Sequence, residues 1–192
     1  RNLMCDAAKP APASEEDLYK LRHSLAHIMA QAVLEMRPDA KLAFGPPVEN
    51  GFYYDFDFGD NPLGEADLKK ITKQMQKIVK KKQPFENSFK TLDEAKTFLN
   101  ETDQSYKIEY AEELVETGKA GDEGLGFYVN GPFADMCEGL NLEHTGEVPK
   151  ACFKLDRISG SYWRGSEKNP MLTRIYGLAF ESADRLKEYI AM

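Results

Sequence analysis

The stretch NGFYYDFDF, residues 50–58, carries the strongest structural signal in the chain. Its first two residues, Asn50-Gly51, are the preferred dipeptide of a two-residue type I′ turn. From residue 52 onward, aromatic side chains at every second position alternate with Tyr53 and two aspartates, which is typical of a strand with one buried face. The segment Leu42–Val48 lies before the turn and supplies a partner strand. The sequence therefore predicts a β-hairpin here.

Segments with helical periodicity lie on both sides of the predicted hairpin. Apolar residues spaced three and four apart predict one helix over residues 15–37 and another over residues 65–82. Thr91 and Glu94 match a capping box, which predicts a short third helix to about residue 98. Ser182 is a suitable N-cap for a last helix near the end of the chain.

Alternating patterns predict several further strands in the second half of the chain. These strands cover Tyr106–Tyr110, Leu125–Val129, Phe133–Cys137, Ala151–Leu155 and Leu172–Phe180. The order of elements predicts an α+β fold, with a mainly antiparallel sheet packed with helices. Residues 1–14, rich in Ala and Pro, predict a flexible linker or tail, so the folded domain is expected over residues 15–192.

The charge, the cysteines and the apolar runs of the chain argue against some kinds of protein. The net charge of −7 argues against an autonomous, strongly binding nucleic-acid module, although a local basic patch is compatible with it. Seven lysines on the helix over residues 65–82 form either an ordinary solvated face or a patch that contacts phosphates. Three widely spaced cysteines favour a reducing compartment. No apolar run is long enough for a membrane helix, and we expect a cytoplasmic protein.

Two of the three histidines, His23 and His27, stand one helical turn apart and share a face roughly opposite the apolar stripe. Cys137 follows more than a hundred residues later, and Asp135 shares its strand face by period two. Lys107 could add a positive charge. If these segments converge, they form a nucleophile, a general base or a metal-ligand cluster. A structural histidine pair, a buried thiol and a solvated lysine are the alternatives.

Several motifs together resemble the amino-terminal editing domain of threonyl-tRNA synthetases, in the same order and spacing over about residues 20–190. That domain is related to the second domain of alanyl-tRNA synthetases and to freestanding alanyl-tRNA editing proteins. The matching motifs are His23-Ser24-Leu25-Ala26-His27, Gly45-Pro46, Glu49-Asn50-Gly51-Phe52-Tyr53-Tyr54-Asp55, Tyr106-Lys107, Asp135-Met136-Cys137, Gly160-Ser161-Tyr162-Trp163-Arg164-Gly165 and Arg174-Ile175-Tyr176-Gly177.

The resemblance implies hydrolysis of the ester in mischarged seryl-tRNA(Thr), with the tRNA acceptor end as the partner. The family's pocket positions fall on Tyr54 for substrate binding and on a set of catalytic residues. That catalytic set is His23, His27, Lys107, Asp135 and Cys137. The chain is expected to be a monomeric part of a larger ATP-dependent ligase, without the class II catalytic core and the anticodon-binding domain.

One departure from the family concerns the loop after Cys137, where Asn141 stands in place of a histidine. His144 lies three residues further on and could fill the vacancy, so both are candidate substrate-binding residues. The editing reaction of this family implies no required cofactor, whereas the alanyl relatives imply a zinc site, here on His23, His27 and Cys137. The alternatives to an editing enzyme are therefore a silent domain that binds the acceptor end, or a zinc-dependent alanyl-type editing protein.

Overall fold

The computed structural model describes residues 13–192, so most of the predicted linker over residues 1–14 lies outside the described residues. The fold is α+β with antiparallel sheets, as predicted. Its helices are α1 (Glu15–Met36), α2 (Leu68–Lys80), α3 (Leu92–Glu101), α4 (Ser105–Glu116) and α5 (Ala183–Ile190). Its strands are β1 (Lys41–Leu42), β2 (Pro47–Val48), β3 (Gly51–Asp57), β4 (Phe85–Lys90), β5 (Leu125–Asn130), β6 (Phe133–Met136), β7 (Phe153–Tyr162) and β8 (Met171–Ala179).

The predicted aromatic strand is β3, and it lies at the centre of the larger sheet. The strand order is β1-β3-β8-β7, and β2 also pairs with β3. Phe52, Tyr54 and Phe56 are buried and belong to the main core, together with apolar residues of α1. The predicted partner strand is split into β1 and β2, because the consecutive prolines at positions 46 and 47 have no N–H to donate to a ladder.

The predicted type I′ turn at Asn50-Gly51 is displaced by one residue. Val48 pairs with Gly51, so the two turn residues are Glu49 and Asn50, and Asn50 has a φ of 67°. Gly51 is instead the first residue of β3 and packs against the backbone of β8. A Cβ at this position would lie 1.8 Å from the carbonyl oxygen of Gly177. The glycine is therefore required by strand packing rather than by turn geometry.

The predicted strand Tyr106–Tyr110 is wrong, because these residues lie in α4. Its buried residues include Tyr106, Ala111 and Leu114, which follow helical spacing. An alternation of apolar and charged residues over only five positions fits either a strand or a helix, and tertiary packing favours the helix here. The helix α4 packs with α3 against the second sheet, which has the order β4-β5-β6.

The helix α1 runs between the two sheets and is buried on nearly all sides. From Leu21 to Val33, every residue except Arg22 is buried. One face of α1 packs on β3, while the face that carries His23 and His27 lies near Tyr128 of β5, with ring centroids 6.3 and 6.0 Å apart. The histidines therefore face the second sheet, which explains their position opposite the apolar stripe.

Among the remaining elements, β4 was not predicted from the sequence, and β7 runs to Tyr162, well past the predicted end at Leu155. The Thr91/Glu94 capping box opens α3, and Ser182 caps α5. Cys137 and Cys152 are both free thiols. Within residues 13–192, no helix has the length and apolar character needed to cross a bilayer.

Candidate active site

Two histidines of α1 and a cysteine more than a hundred residues later meet between α1 and the end of β6. The Sγ atom of Cys137 lies 3.0 Å from Nε2 of His23, and this Nε2 lies 3.2 Å from Nε2 of His27. The three donor atoms all lie within 4.8 Å of one another. The convergence predicted from the histidine pair and the cysteine loop is present.

The loop after Cys137 is fastened to α1 by hydrogen bonds. His23 Nδ1 lies 3.0 Å from the carbonyl oxygen of Leu140, and the backbone N–H of Leu142 donates to Ser24 Oγ over 2.9 Å. Gly139 allows this close approach with a φ of 127°, since a Cβ there would lie 2.6 Å from the hydroxyl oxygen of Tyr19. The loop therefore holds the thiol against the imidazole of His23.

A carbonyl oxygen can only accept a hydrogen bond, so the contact to Leu140 places a proton on Nδ1 of His23. In the neutral imidazole, Nε2 then carries the lone pair. This nitrogen faces Cys137 and His27, and His23 also lines the adjoining cavity. His23 is thus oriented to accept a proton on Nε2.

Asp135 is the centre of a buried charged network behind this cluster. Its Oδ1 lies 3.2 Å from Nζ of Lys107, and its Oδ2 lies 3.3 Å from Nδ1 of His27. The hydroxyl of Tyr54 donates to Oδ2 over 2.7 Å. The side chains of Asp135, Lys107 and His27 are no more than 4% exposed. Two cations and a hydroxyl therefore compensate one buried carboxylate.

The charges of this network stabilise one another. Burial alone would raise the pKa of Asp135, but Lys107, His27 and the Tyr54 hydroxyl together hold it well below its usual range. Burial would lower the pKa of His27, but the negative charge of Cys137 and the contact with Asp135 raise it to about 9. At neutral pH, His27 is therefore an imidazolium between two anionic groups.

Cys137 has the character of a thiolate. Burial opposes its ionisation, but the positive charge of His27 and the contacts with both histidine rings lower its pKa to about 6. Cys152 is buried without such partners, and burial raises its pKa to about 12. The two thiols should therefore differ strongly in reactivity.

We expect alkylation of Cys137 by iodoacetamide, in protein dialysed against a chelator, to reach half its maximal rate near pH 6. In a His27→Asn variant, this midpoint should move toward the ordinary cysteine value of about 8.5, because the stabilising cation is gone. Mass spectrometry of the Cys137 peptide measures the rate, and the Cys152 peptide is the internal control. An unchanged midpoint in the variant would show that His27 does not set the state of the thiol.

His23, Lys107 and Cys137 open onto a cavity of about 310 Å³ between α1, the β2–β3 hairpin and α4. This volume is in the range of small-molecule sites. His27, Asp135 and Tyr54 stand behind the lining and support it. The rest of the wall is formed by Tyr19, Phe44, Gly45, Pro46, Pro47, Tyr53, Tyr110, Met136 and Glu138.

Lys107 has one donor to spare. Its ammonium carries three N–H groups, and two acceptors lie near it, Asp135 Oδ1 at 3.2 Å and the carbonyl oxygen of Met136 at 3.1 Å. Because Lys107 lines the cavity, the third N–H is available to a ligand. The lysine is thus both anchored by the carboxylate and able to stabilise negative charge in the cavity.

Two residues near the cluster, Tyr19 and Tyr128, were not predicted from the sequence to belong to the site. Tyr19 precedes His23 by one helical turn, so the spacing of α1 could have identified it. Tyr128 pairs with Asp135 across β5 and β6 and contacts both histidine rings. That strand register is not visible in the sequence.

Asn141 and His144 lie apart from the histidine–cysteine cluster. Asn141 Oδ1 accepts a hydrogen bond from Ser24 Oγ over 3.1 Å, and the residue lines a different cavity near the start of α1. His144 Nδ1 accepts from the N–H of Gly146, its Nε2 lies 3.8 Å from Glu147, and its side chain is 40% exposed. His144 therefore does not take the place of the missing family histidine, because it caps the short turn that follows it.

We expect Asn141→Ala to destabilise the fold by about 1 kcal/mol, through loss of one hydrogen bond to Ser24. The effect on the chemistry of the cavity should be small, less than about threefold. Urea unfolding measures the first quantity, and the alkylation rate of Cys137 reports on the second. A large change in that rate would show that Asn141 shapes the cluster directly.

The histidine–cysteine cluster also offers the donor atoms of a zinc site. His23 Nε2, His27 Nε2 and Cys137 Sγ form a three-donor set, which zinc accepts in catalytic sites with a fourth, open position. Both Nδ1 atoms face oxygen acceptors, as in zinc-bound histidines. The residues present therefore fit a zinc ion, although Asn141 offers no fourth protein ligand because it faces Ser24.

A family model described as the threonyl and alanyl tRNA synthetase second additional domain matches residues 125–176. The chain is also 46% identical over 169 residues to a threonine–tRNA ligase of Acetivibrio thermocellus, covering 88% of this chain and 25% of the relative. A threonine–tRNA ligase of Thermotoga neapolitana is 47% identical over 171 residues, with coverage of 88% and 25%. One of Oleidesulfovibrio alaskensis is 41% identical over 187 residues, with coverage of 97% and 28%. The chain thus spans about a quarter of the length of these relatives.

Proposed function

Because this chain belongs to the threonyl and alanyl tRNA synthetase second additional domain family, we propose that it is an editing domain that hydrolyses seryl-tRNA(Thr). The bond broken is the ester between serine and the terminal ribose of the tRNA. The observation that carries the proposal is the convergence of His23, Cys137 and Lys107 on one cavity. A base, a fixed cation and a small cavity are the parts that ester hydrolysis by water requires.

In the proposed mechanism, water attacks the ester carbonyl carbon while its proton passes to Nε2 of His23. Lys107 donates its free N–H to the oxygen on which negative charge develops. When the bond between the carbonyl carbon and the ribose oxygen breaks, that oxygen takes the proton from His23. Asp135 holds Lys107 in place, and the imidazolium of His27 keeps Cys137 anionic. No covalent enzyme intermediate is needed, because the substrate is already an ester with a ribose leaving group.

An editing site is useful because a synthetic site that binds threonine cannot exclude serine well. Serine lacks one methyl group of threonine, and such a difference in a binding pocket is worth only about 1–3 kcal/mol. A synthetic site that accepts threonine therefore also admits serine. We propose that the cavity of about 310 Å³ accepts the seryl group and excludes the additional methyl.

The direct test is incubation of the purified chain with seryl-tRNA(Thr) and, in parallel, with threonyl-tRNA(Thr). Loss of the seryl ester well above the buffer rate, with the threonyl ester spared, is the expected result. A seryl rate equal to buffer despite intact tRNA binding would instead establish the silent acceptor-end domain. The substitution of Asn141 for the family histidine motivates that alternative.

We propose that the reaction needs no metal, because Lys107 and the protonated His27 already supply positive charge at the site. If zinc is bound, His23, His27 and Cys137 would hold it, and it would supply an activated water. Dialysis against a chelator is expected to leave the hydrolysis rate unchanged within about twofold. Loss of activity that zinc restores, together with stoichiometric zinc in the purified protein, would support the alanyl-type alternative.

The wider setting of the domain is part of the same proposal. Its relatives are about four times longer than the matched region, so we propose that the chain works within a cytoplasmic threonine–tRNA ligase. The catalytic and anticodon-binding domains of that ligase would supply part of the affinity for tRNA. The isolated chain is expected to be a monomer, which its elution volume in gel filtration checks.

A further inference from the structure

The exposed side of α2 forms a continuous basic surface, here called the lysine face. Its members are Lys69, Lys70, Lys73, Lys77, Lys80 and Lys81. All six are exposed, and no carboxylate within residues 13–192 lies within 4.0 Å of any of their ammonium groups. The face therefore carries positive charge that the described part of the chain does not neutralise.

The geometry of the helix gathers these charges in one strip. At about 100° per residue, the six lysines fall within an arc of about 120°, opposite the buried Leu68, Ile71, Met75 and Ile78. At 1.5 Å per residue, the strip is about 18 Å long. A ligand with regularly repeated negative charges can contact it along this whole length.

The concentration of one sign is unusual for a solvated helix face. The chain has a net charge of −7, yet residues 68–85 contain no aspartate or glutamate. Exposed helices commonly pair glutamate with lysine at i and i+4, whereas like charges at that spacing destabilise the helix. Lys69, Lys73 and Lys77 repeat the unfavourable spacing twice. Repulsion between these lysines destabilises α2 in the isolated chain, and an anionic partner would relieve it.

The composition of the face favours a polyphosphate over an acidic protein. Protein interfaces depend on aromatic or arginine anchors that fill pockets. The exposed large apolar side chains of the described residues include none from α2, and the face contains no arginine. Flexible lysines act as point charges toward phosphates, which suits contacts to a nucleic-acid backbone without base readout.

The end of α2 also lies near the active site. Gln83, just past the helix, accepts a hydrogen bond from Gln31 Nε2 of α1 over 3.3 Å. Gln31 follows His23 by eight residues, which corresponds to about 12 Å along α1. A nucleic acid whose end enters the cavity can therefore have its adjoining part near the lysine face.

We propose that the lysine face binds the phosphate backbone of the double-helical acceptor arm, while the single-stranded 3′ end reaches the cavity. The identity of the RNA as tRNA rests on the proposed function, whereas the presence of an RNA-backbone surface on α2 does not. The contacts are electrostatic and independent of base sequence. They increase affinity without taking part in bond cleavage.

The test uses the purified chain and an unacylated RNA minihelix that ends in a single-stranded 3′ extension, so it is independent of hydrolysis. Fluorescence anisotropy measures binding at several salt concentrations for K69Q/K73Q/K77Q/K80Q. The matched control is K119Q/K150Q/K168Q/K187Q, which removes the same charge from exposed lysines elsewhere that also have no carboxylate within 4.0 Å. Circular dichroism verifies that both variants fold.

The lysine-face variant should bind at least about tenfold more weakly than the native chain at moderate salt. The slope of log affinity against log salt should become less steep by about 3.6, since each of the four lost phosphate contacts contributes about 0.9. The control should change affinity by less than about threefold and leave the slope intact. Equal losses in both variants would show a general charge effect, and no loss in the first would overturn the proposal. Binding of polyglutamate as tight as that of RNA would reassign the face to an acidic protein.

Discussion

Replacing His23 by alanine is expected to slow hydrolysis of the seryl ester by about 10²–10⁴-fold, the usual contribution of a positioned general base. The loss follows from the contact with Leu140, which fixes the proton on Nδ1 and leaves Nε2 to accept one from water. Single-turnover release of labelled serine from seryl-tRNA(Thr) measures the effect.

The chain provides its own control for this substitution. His144 is the third histidine, is 40% exposed, and contacts Gly146 and Glu147 rather than the cluster. His144→Ala should therefore leave the hydrolysis rate within about twofold of the native value. Equal losses in the two variants would indicate a general effect on folding. A native rate in His23→Ala would remove His23 from the mechanism and leave Lys107 or the thiolate to direct the water.

Periodicity was sufficient to predict the elements that frame the site. The alternation in residues 52–58 identified β3, and the three-and-four spacing identified α1. The pair His23 and His27 was assigned to one helix face from spacing alone. That Cys137 reaches this face came from the resemblance to a family, because no local pattern specifies a contact between residues 114 positions apart.

Local sequence patterns gave wrong predictions where a segment fits both the strand and the helix period, or where tertiary packing determines the conformation. Residues 106–110 satisfy a strand pattern, yet they form part of α4. The turn before β3 moved by one residue because Gly51 is needed for its approach to Gly177 of β8. The proximity of His144 in sequence suggested a replacement for the missing histidine, but the short turn after it directs its side chain elsewhere.

The charged network could not be derived from the sequence because all of its contacts are long-range. Tyr54 and Asp135 are 81 residues apart, and Lys107 reaches Asp135 from a helix that was predicted as a strand. Each of these polar groups is costly to bury unless its partners are present. Their arrangement is a property of how α1, α4 and the two sheets pack, and it makes the network sensitive to substitution.

We expect Asp135→Asn to destabilise the fold by about 3–5 kcal/mol, the usual cost of leaving a buried charge without its partner. The substitution removes the one carboxylate that, within residues 13–192, lies within 4.0 Å of the Lys107 ammonium, and the Lys107 side chain is only 4% exposed. It also removes the anion beside His27 and weakens the acceptor of the Tyr54 hydroxyl. Urea unfolding at pH 7 measures the change, and hydrolysis should fall as well because Lys107 loses its anchor.

A double-mutant cycle separates the ion pair from ordinary packing. Lys107→Met combined with Asp135→Asn removes both charges, so the double variant should be less destabilised than the sum of the single changes by about 1–3 kcal/mol. The control pair is Lys96 and Glu112, which lie 3.0 Å apart with side chains 40% and 43% exposed. Its coupling energy should stay below about 1 kcal/mol. Strict additivity at the buried pair would mean that the two charges do not stabilise each other.

The destabilisation caused by Asp135→Asn is expected to depend on pH in a definite direction. Because the pKa of Asp135 is held well below its usual range, its ionised form stabilises the folded state fully above the ordinary aspartate value of about 4. As the pH falls below that value, the unfolded chain binds a proton more readily than the native chain, and the stabilisation is lost. The difference in stability between the native chain and Asp135→Asn should therefore be largest near neutral pH and shrink below pH of about 4. A difference that grows on acidification would contradict the charged state assigned to Asp135, and with it the anchored Lys107 on which the hydrolytic mechanism depends.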